Sequence, residues 1–265
     1  MQTRSQGQEN LVPINPEIGR RRERSPSPQE EIERDEDYPN VQFRDQAQKD
    51  KFTSMKERSI LPTRFICANV LRTLGIFEYS MQLFRALGMG FLFNMHRETY
   101  PELVLEFLSS LTITQNDAGE STFFFRIGGE EHQLTVSELA DLFGLADSGE
   151  GMDYDQHPSQ IWPLISNEHL TNLQNLILKK VHHPAIRIWF KFMAFTITAK
   201  SESNKANSND LIVLGSYLRP EWGFRPNLVR LLINTFRHTI NQPNTVRTPI
   251  QFGGLITHIA MHFGW

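Results

Sequence analysis

The sequence predicts a mainly α fold: a multi-helix globular domain with one small β-hairpin, preceded by a disordered N-terminal tail. Three observations lead there. Hydrophobic residues make up 39% of the 265 positions and include 19 phenylalanines, enough for a sizeable core. Apolar residues recur at helical spacing in most windows from about residue 60 onward. Residues 1 to about 50 are instead rich in Gln, Glu, Arg, Pro and Ser, and bury too little apolar surface to offset the entropy of ordering.

Within that tail, Arg20, Arg21, Arg22 and Arg24 form a short basic run followed by Ser25-Pro26-Ser27-Pro28 and the acidic stretch Glu30 to Asp37. The functional reading is a nuclear-localisation or RNA-contacting patch gated by phosphate on Ser25 and Ser27. The bland reading, which is preferred, is a solvated polyampholyte in which the acidic run offsets the basic one.

Order is expected from near Phe52, and the domain is placed at residues 51–265. Ile60 to Phe65 reads as extended because a residue before proline avoids helical angles. Ile66, Val70, Leu71 and Leu74 predict a helix ending at Gly75, with Cys67 buried on it. Tyr79, Leu83, Phe84 and Leu87 predict a second, stopped by Gly88, and Phe91-Leu92-Phe93 reads as core.

The clearest stretch runs from Thr99 to Leu145. Thr99-Tyr100-Pro101-Glu102 has the pattern of a capping box with proline in the first turn, and Leu103, Val104, Phe107, Leu108 and Leu111 follow at helical spacing. Thr122 to Ile127 is β-prone, and Gly128-Gly129 supplies the positive φ angles of a two-residue turn into Glu130 to Leu134. Thr135-Val136-Ser137-Glu138 repeats the capping pattern for a helix that Gly144 ends. Phe124 and Leu139 are both assigned to the core.

Ala146 to Gln160 reads as an exposed acidic loop, and the segment around Leu170, Leu173, Leu176, Ile177 and Leu178 as a helix. From Pro184, Ile186, Ile188, Trp189, Phe190, Phe192, Met193 and Phe195 predict a helix apolar on nearly every side and therefore central. Lys200 to Asn209 reads as a polar linker that tolerates insertion. Helices are expected at about Asp210 to Leu218, about Pro226 to Thr239, and within Phe252 to Phe263. The chain stops at Trp265 in the middle of an apolar pattern, as a truncated frame would.

Candidate chemistry is sparse. The formal net charge of -3 gives no global pull towards nucleic acid or membrane. No run approaches the roughly 18 apolar residues that span a bilayer, and residues 1–9 are polar rather than a signal sequence. The single cysteine excludes an internal disulfide and a multi-cysteine zinc site. An intracellular protein of the cytoplasm or nucleus is expected.

His258 and His262 share a helical face at metal-chelating spacing, but Ile259 stands where a zinc peptidase needs its glutamate. His157, His182 and His183 adjoin prolines and read as caps, and Asp153-Tyr154-Asp155 lacks a calcium-loop pattern. No Walker, dinucleotide or Gly-x-Ser-x-Gly motif is present. This reading assigns no catalytic, metal or cofactor-binding residue, no cofactor and no small-molecule substrate. Two basic groups remain as candidate phosphate contacts: Lys49, Lys51, Lys56, Arg58 and Arg64, and Lys179, Lys180, Arg187 and Lys191. Ordinary solvated charge is the preferred reading of both.

An ordered set of segments carries a resemblance. It comprises Ile60-Leu61-Pro62-Thr63-Arg64-Phe65, Leu71-Arg72-Thr73-Leu74-Gly75, Thr99 to Leu103 with Leu105-Glu106-Phe107-Leu108, Phe123 to Ile127, Leu134 to Leu139, Leu142 to Leu145, and Gly253-Gly254-Leu255-Ile256-Thr257 with Ile259-Ala260. Together they resemble the protein of the first open reading frame of Athila-type plant LTR retrotransposons. The resemblance implies a non-enzymatic, gag-like structural protein that self-associates and contacts RNA. It supplies no catalytic residues, and the chain has no Cys-x2-Cys zinc knuckle. The alternatives are a host-adapted nuclear protein-interaction module of transposon origin and, more distantly, an enzyme with a dispersed site.

Overall fold

A computed structural model describes residues 34–117, 120–145, 147, 158–169, 176–200, 202–243 and 248–265. Helix α1 (Gln46–Lys56) opens it: Asp45 accepts from the Gln48 amide, and Gln48 Oε1 accepts in turn from the Arg44 amide at 2.8 Å. Tyr38 and Phe43 pack edge-on against the buried ring of Phe52, and Val41 is buried beside them. The packed chain therefore begins ahead of residue 51. Its first anchors are single apolar residues in a polar stretch, too widely spaced to show periodicity.

Three short helices follow, α2 (Ala68–Thr73), α3 (Phe77–Ala86) and α4 (Gly90–Asn94). On α4, Leu92 and Phe93 are core while Phe91 faces out. Helix α5 (Pro101–Ser110) is the axis of the fold, with every residue from Leu103 to Ser110 buried. A three-stranded antiparallel sheet packs against it, in the order β1 (Thr112–Gln115), β2 (Ser121–Ile127), β3 (Glu130–Thr135).

The predicted hairpin is β2–β3. Its turn carries φ +61° at Gly128 and +84° at Gly129, angles that residues with a Cβ rarely adopt. The added strand β1 is short and polar, which hid it. Strand alternation sends Phe123, Phe125 and Ile127 inward and leaves Phe124 37% exposed, so Phe124 is not a core residue. Leu139 is buried as expected.

Helix α6 (Val136–Phe143) has its complete capping box, with Thr135 and Glu138 bonding each other's backbone, and Gly144 closes it in the left-handed conformation. Thr99 does not cap α5. The helix starts one residue later, with Tyr100 as its N-cap and Pro101 at N1, and the Thr99 hydroxyl accepts from the Thr63 amide instead. Next comes α7 (Trp162–Ser166). The Leu176 to Leu178 segment is not helical: Ile177 bridges to Lys205, and a 3-10 turn follows from Leu178. Leu170 and Leu173 lie outside the described residues.

Helix α8 (Pro184–Phe192) is capped by His183, whose Nδ1 accepts from the Ala185 amide, and runs on as a π-helical turn, Met193–Ile197. Trp189, Phe190, Phe192 and Met193 are buried, as a central helix requires. The region expected to be a tolerant linker is tied down. Leu178 N donates to the Asn204 carbonyl, Ala206 N to the Leu176 carbonyl, and part-buried Lys200 pairs with buried Asp210.

Asp210 also completes the capping box of α9 (Ser208–Leu218) with Asn207. Burial pushes the Asp210 carboxyl up and the Lys200 ammonium down, each opposed by the charge of the other. Helices α10 (Leu228–Ile240) and α11 (Gly253–His262) finish the fold, and Phe236 and Phe252 meet in its core.

Candidate functional site

The candidate site residues Arg20, Arg21, Arg22, Arg24, Ser25 and Ser27 lie outside the described residues, as do His157 and the Asp153-Tyr154-Asp155 triplet. Three members of the first basic group of the folded region, Lys56, Arg58 and Arg64, are engaged within the chain. Lys56 is held by Asp35 and Asp37, both at 2.8 Å, and those hydrogen bonds raise its ammonium above the ordinary range. Arg58 is buried, and burial pushes its guanidinium down. It donates from Nε to the Thr248 carbonyl and from Nη1 to that of Thr239, joining the end of α10 to the chain beyond it. Arg64 lies 3.9 Å from the centroid of the Phe195 ring. In the second group, Lys180 pairs with Glu168 and Lys191 donates to Asn204.

His258 and His262 do not converge on an open site. Arg97 Nε donates to His258 Nδ1 at 3.3 Å, and His258 Nε2 lies 3.2 Å from the Leu142 carbonyl. Phe91 and Phe143 flank the ring. Among the described residues, no group of three or more His, Cys, Asp or Glu is placed to hold a metal ion.

The structure brings together three of the segments that carry the resemblance. Leu61 N donates to the Ile250 carbonyl, and Ile250 N to that of Ser59, so residues 59–61 run beside residue 250. The Thr63 hydroxyl donates to the Gln251 carbonyl and accepts from the Gly254 amide, both at 2.8 Å. A Cβ on Gly253 would sit 2.4 Å from Thr99 Cγ2, and one on Gly254 would sit 2.9 Å from the Arg97 carbonyl and from the Phe65 ring. The glycines are there because the Arg97 carbonyl and the side chains of Phe65, Thr99 and Val104 converge at the start of α11. Such a junction holds the fold together and offers no reacting group.

A second device escaped the sequence. Glu106, buried on α5, accepts from the amides of both Gly128 and Gly129 at 2.8 Å, so the helix grips the hairpin turn. The signal was there in principle: a glutamate inside an otherwise apolar stripe is costly unless partners wait for it.

Among the described residues, α2 turns an apolar face to solvent. Leu71 is buried on α2, but Val70 is 53% and Leu74 59% exposed, and Cys67 at the N-cap is exposed too. Spaced three and four residues apart, these side chains share one face of the helix. Cys67 is thus not the core residue its apolar neighbours suggested. The α2 periodicity is real, but it marks two faces, one turned inward and one outward.

The model of the ATHILA ORF-1 family matches residues 18–219. That span takes in the basic run, the Thr99 to Leu145 unit and the α2 face, and stops short of Gly253 and Gly254. No curated protein and no solved structure matches the chain.

Proposed function

The chain belongs to the ATHILA ORF-1 family, and from that premise we propose that it is a gag-like structural protein of a retrotransposon that works by self-association, with RNA contact supplied by the tail. The family is one of retrotransposon origin and is not a known enzymatic one. The observation that carries the self-association reading is the outward face of α2. It consists of Cys67, Val70 and Leu74, uncharged and flanked by Asn69 and Arg72, which are satisfied by a hydrogen bond to each other. An uncharged apolar stripe is self-complementary, as a two-fold interface between identical subunits requires. Exposing two large aliphatic side chains on a short helix otherwise brings no gain in stability.

RNA contact rests on Arg20, Arg21, Arg22 and Arg24, because the cations of the folded region are largely committed to intramolecular partners. Mixing two differently tagged copies tests the first part: wild-type copies co-purify and the pair V70E/L74E does not. Persistence of co-purification in V70E/L74E contradicts the α2 assignment. Titration with single-stranded RNA across a salt series tests the second: replacing the four arginines by glutamine flattens the salt slope, and an unchanged slope refutes it.

A further inference from the structure

We propose that Arg97 and His258 form an acid-sensitive latch that holds α11 against α6 and the segment ahead of α5, and that loosens when the ring takes up a proton. The geometry fixes the state of the ring. The Leu142 carbonyl can only accept, so Nε2 carries the hydrogen, and Arg97 Nε can only donate, so Nδ1 is bare. One neutral tautomer satisfies both partners at once. Protonation of Nδ1 turns an acceptor into a donor aimed at a donor, and sets an imidazolium beside a guanidinium.

The surroundings offer no relief. α4 presents the Phe91 ring, and α6 presents the Phe143 ring and the Leu142 carbonyl. The charged or titratable groups that bear on the ring are Arg97 and, on its own helix, His262. Glu138 on α6 acts on His262, and Asp141, next to Leu142, is exposed. Burial, followed by Arg97 and His262, holds the His258 pKa below its ordinary value, against the opposing pull of the Leu142 carbonyl.

The latch sits where it has leverage. The Arg97 carbonyl lies against Gly254 in the first turn of α11 while its guanidinium meets His258 at mid-helix, so displacing Arg97 disturbs the N-terminal half of α11. Because the folded pKa is lowered, the unfolded or opened state binds the proton better. The stability contributed is fully present above about pH 6.5, the ordinary imidazole value, and is lost as pH falls through the folded value.

Histidine-resolved NMR titration of the full chain, paired with amide hydrogen exchange at pH 7.5 and 5.5, tests the proposal. The expected result is a His258 pKa below the ordinary value, and smaller protection factors (exchange relative to the intrinsic rate at each pH) at Ile256, Ile259 and Ala260 at the lower pH, while those of Phe107 and Phe125 are unchanged. In R97Q, which keeps a donor but removes the charge, the His258 pKa rises and the acid response of α11 shrinks. A His258 that titrates at or above the ordinary value in the wild-type chain overturns the proposal whether or not R97Q folds. So does an α11 whose protection factors ignore pH, or an R97Q chain that leaves the titration where it was.

Discussion

Replacing Glu106 by glutamine keeps its size and removes what it does. The two carboxylate oxygens accept one amide each, from Gly128 and Gly129, both at 2.8 Å. Glutamine has one acceptor oxygen and an NH2 group, so at best one turn amide keeps its partner while the other meets a donor. A hydrogen bond to a charged group contributes about 1.5–3 kcal/mol. Gly128 is exposed and Gly129 partly so, and water can recover some of what is lost. E106Q is therefore expected to cost about 1.5–3 kcal/mol, and E106A, which abandons both amides and leaves space beside β2, about 2–4 kcal/mol. Urea denaturation followed by tryptophan fluorescence reads this directly, since Trp162 and Trp189 are buried. The midpoint falls while the slope is unchanged. An E106Q chain within about 0.5 kcal/mol of wild type would refute the view that the carboxylate grips the turn.

G254A places a Cβ against the Arg97 carbonyl, a backbone atom that cannot swing aside, and is expected to cost about 1–3 kcal/mol, seen as loss of soluble protein or a lowered melting temperature. D210A leaves part-buried Lys200 unpaired and removes the N3 half of the α9 capping box, for a loss of about 3–5 kcal/mol in the same denaturation assay; an insertion after Asn204 is expected to be similarly damaging rather than neutral. Lowering pH from 7.5 to 5.5 lowers the wild-type unfolding midpoint more than that of H258N, because the lowered folded pKa of His258 lets the unfolded wild-type chain bind a proton there more readily than the folded one. V70E/L74E leaves stability within about 0.5 kcal/mol of wild type, since both side chains already face solvent.

The secondary structure was legible where local chemistry decides it. Thr135 and Glu138 cap α6 because both partners of the box lie within four residues, and the Gly128-Gly129 turn needs only its own two φ angles. Thr99 carries a similar signature and fails, because its hydroxyl is claimed by Thr63, a residue 36 positions away. Phe124 shows the same limit: three adjacent phenylalanines announce a strand, but alternation spares only two of them for the core.

The partners in the long-range features were not legible, even where, as at Glu106, a polar residue in an apolar stripe signalled that one was needed. The grip of Glu106 on the turn, the burial of Arg58 on two carbonyls and the Lys200–Asp210 pair each join segments whose proximity is a product of the fold. Of the candidate site, the α2 periodicity was visible but not the direction of each face, because a six-residue helix on the surface has the same spacing whichever side is covered.

Sedimentation of the full chain over a concentration series tests the central claim most directly. Self-association through α2 predicts a mass that rises above the 30.7 kDa of the single chain with concentration, and that returns to it in V70E/L74E with the fold intact. A wild-type chain that stays at the single-chain mass throughout the series would contradict the account.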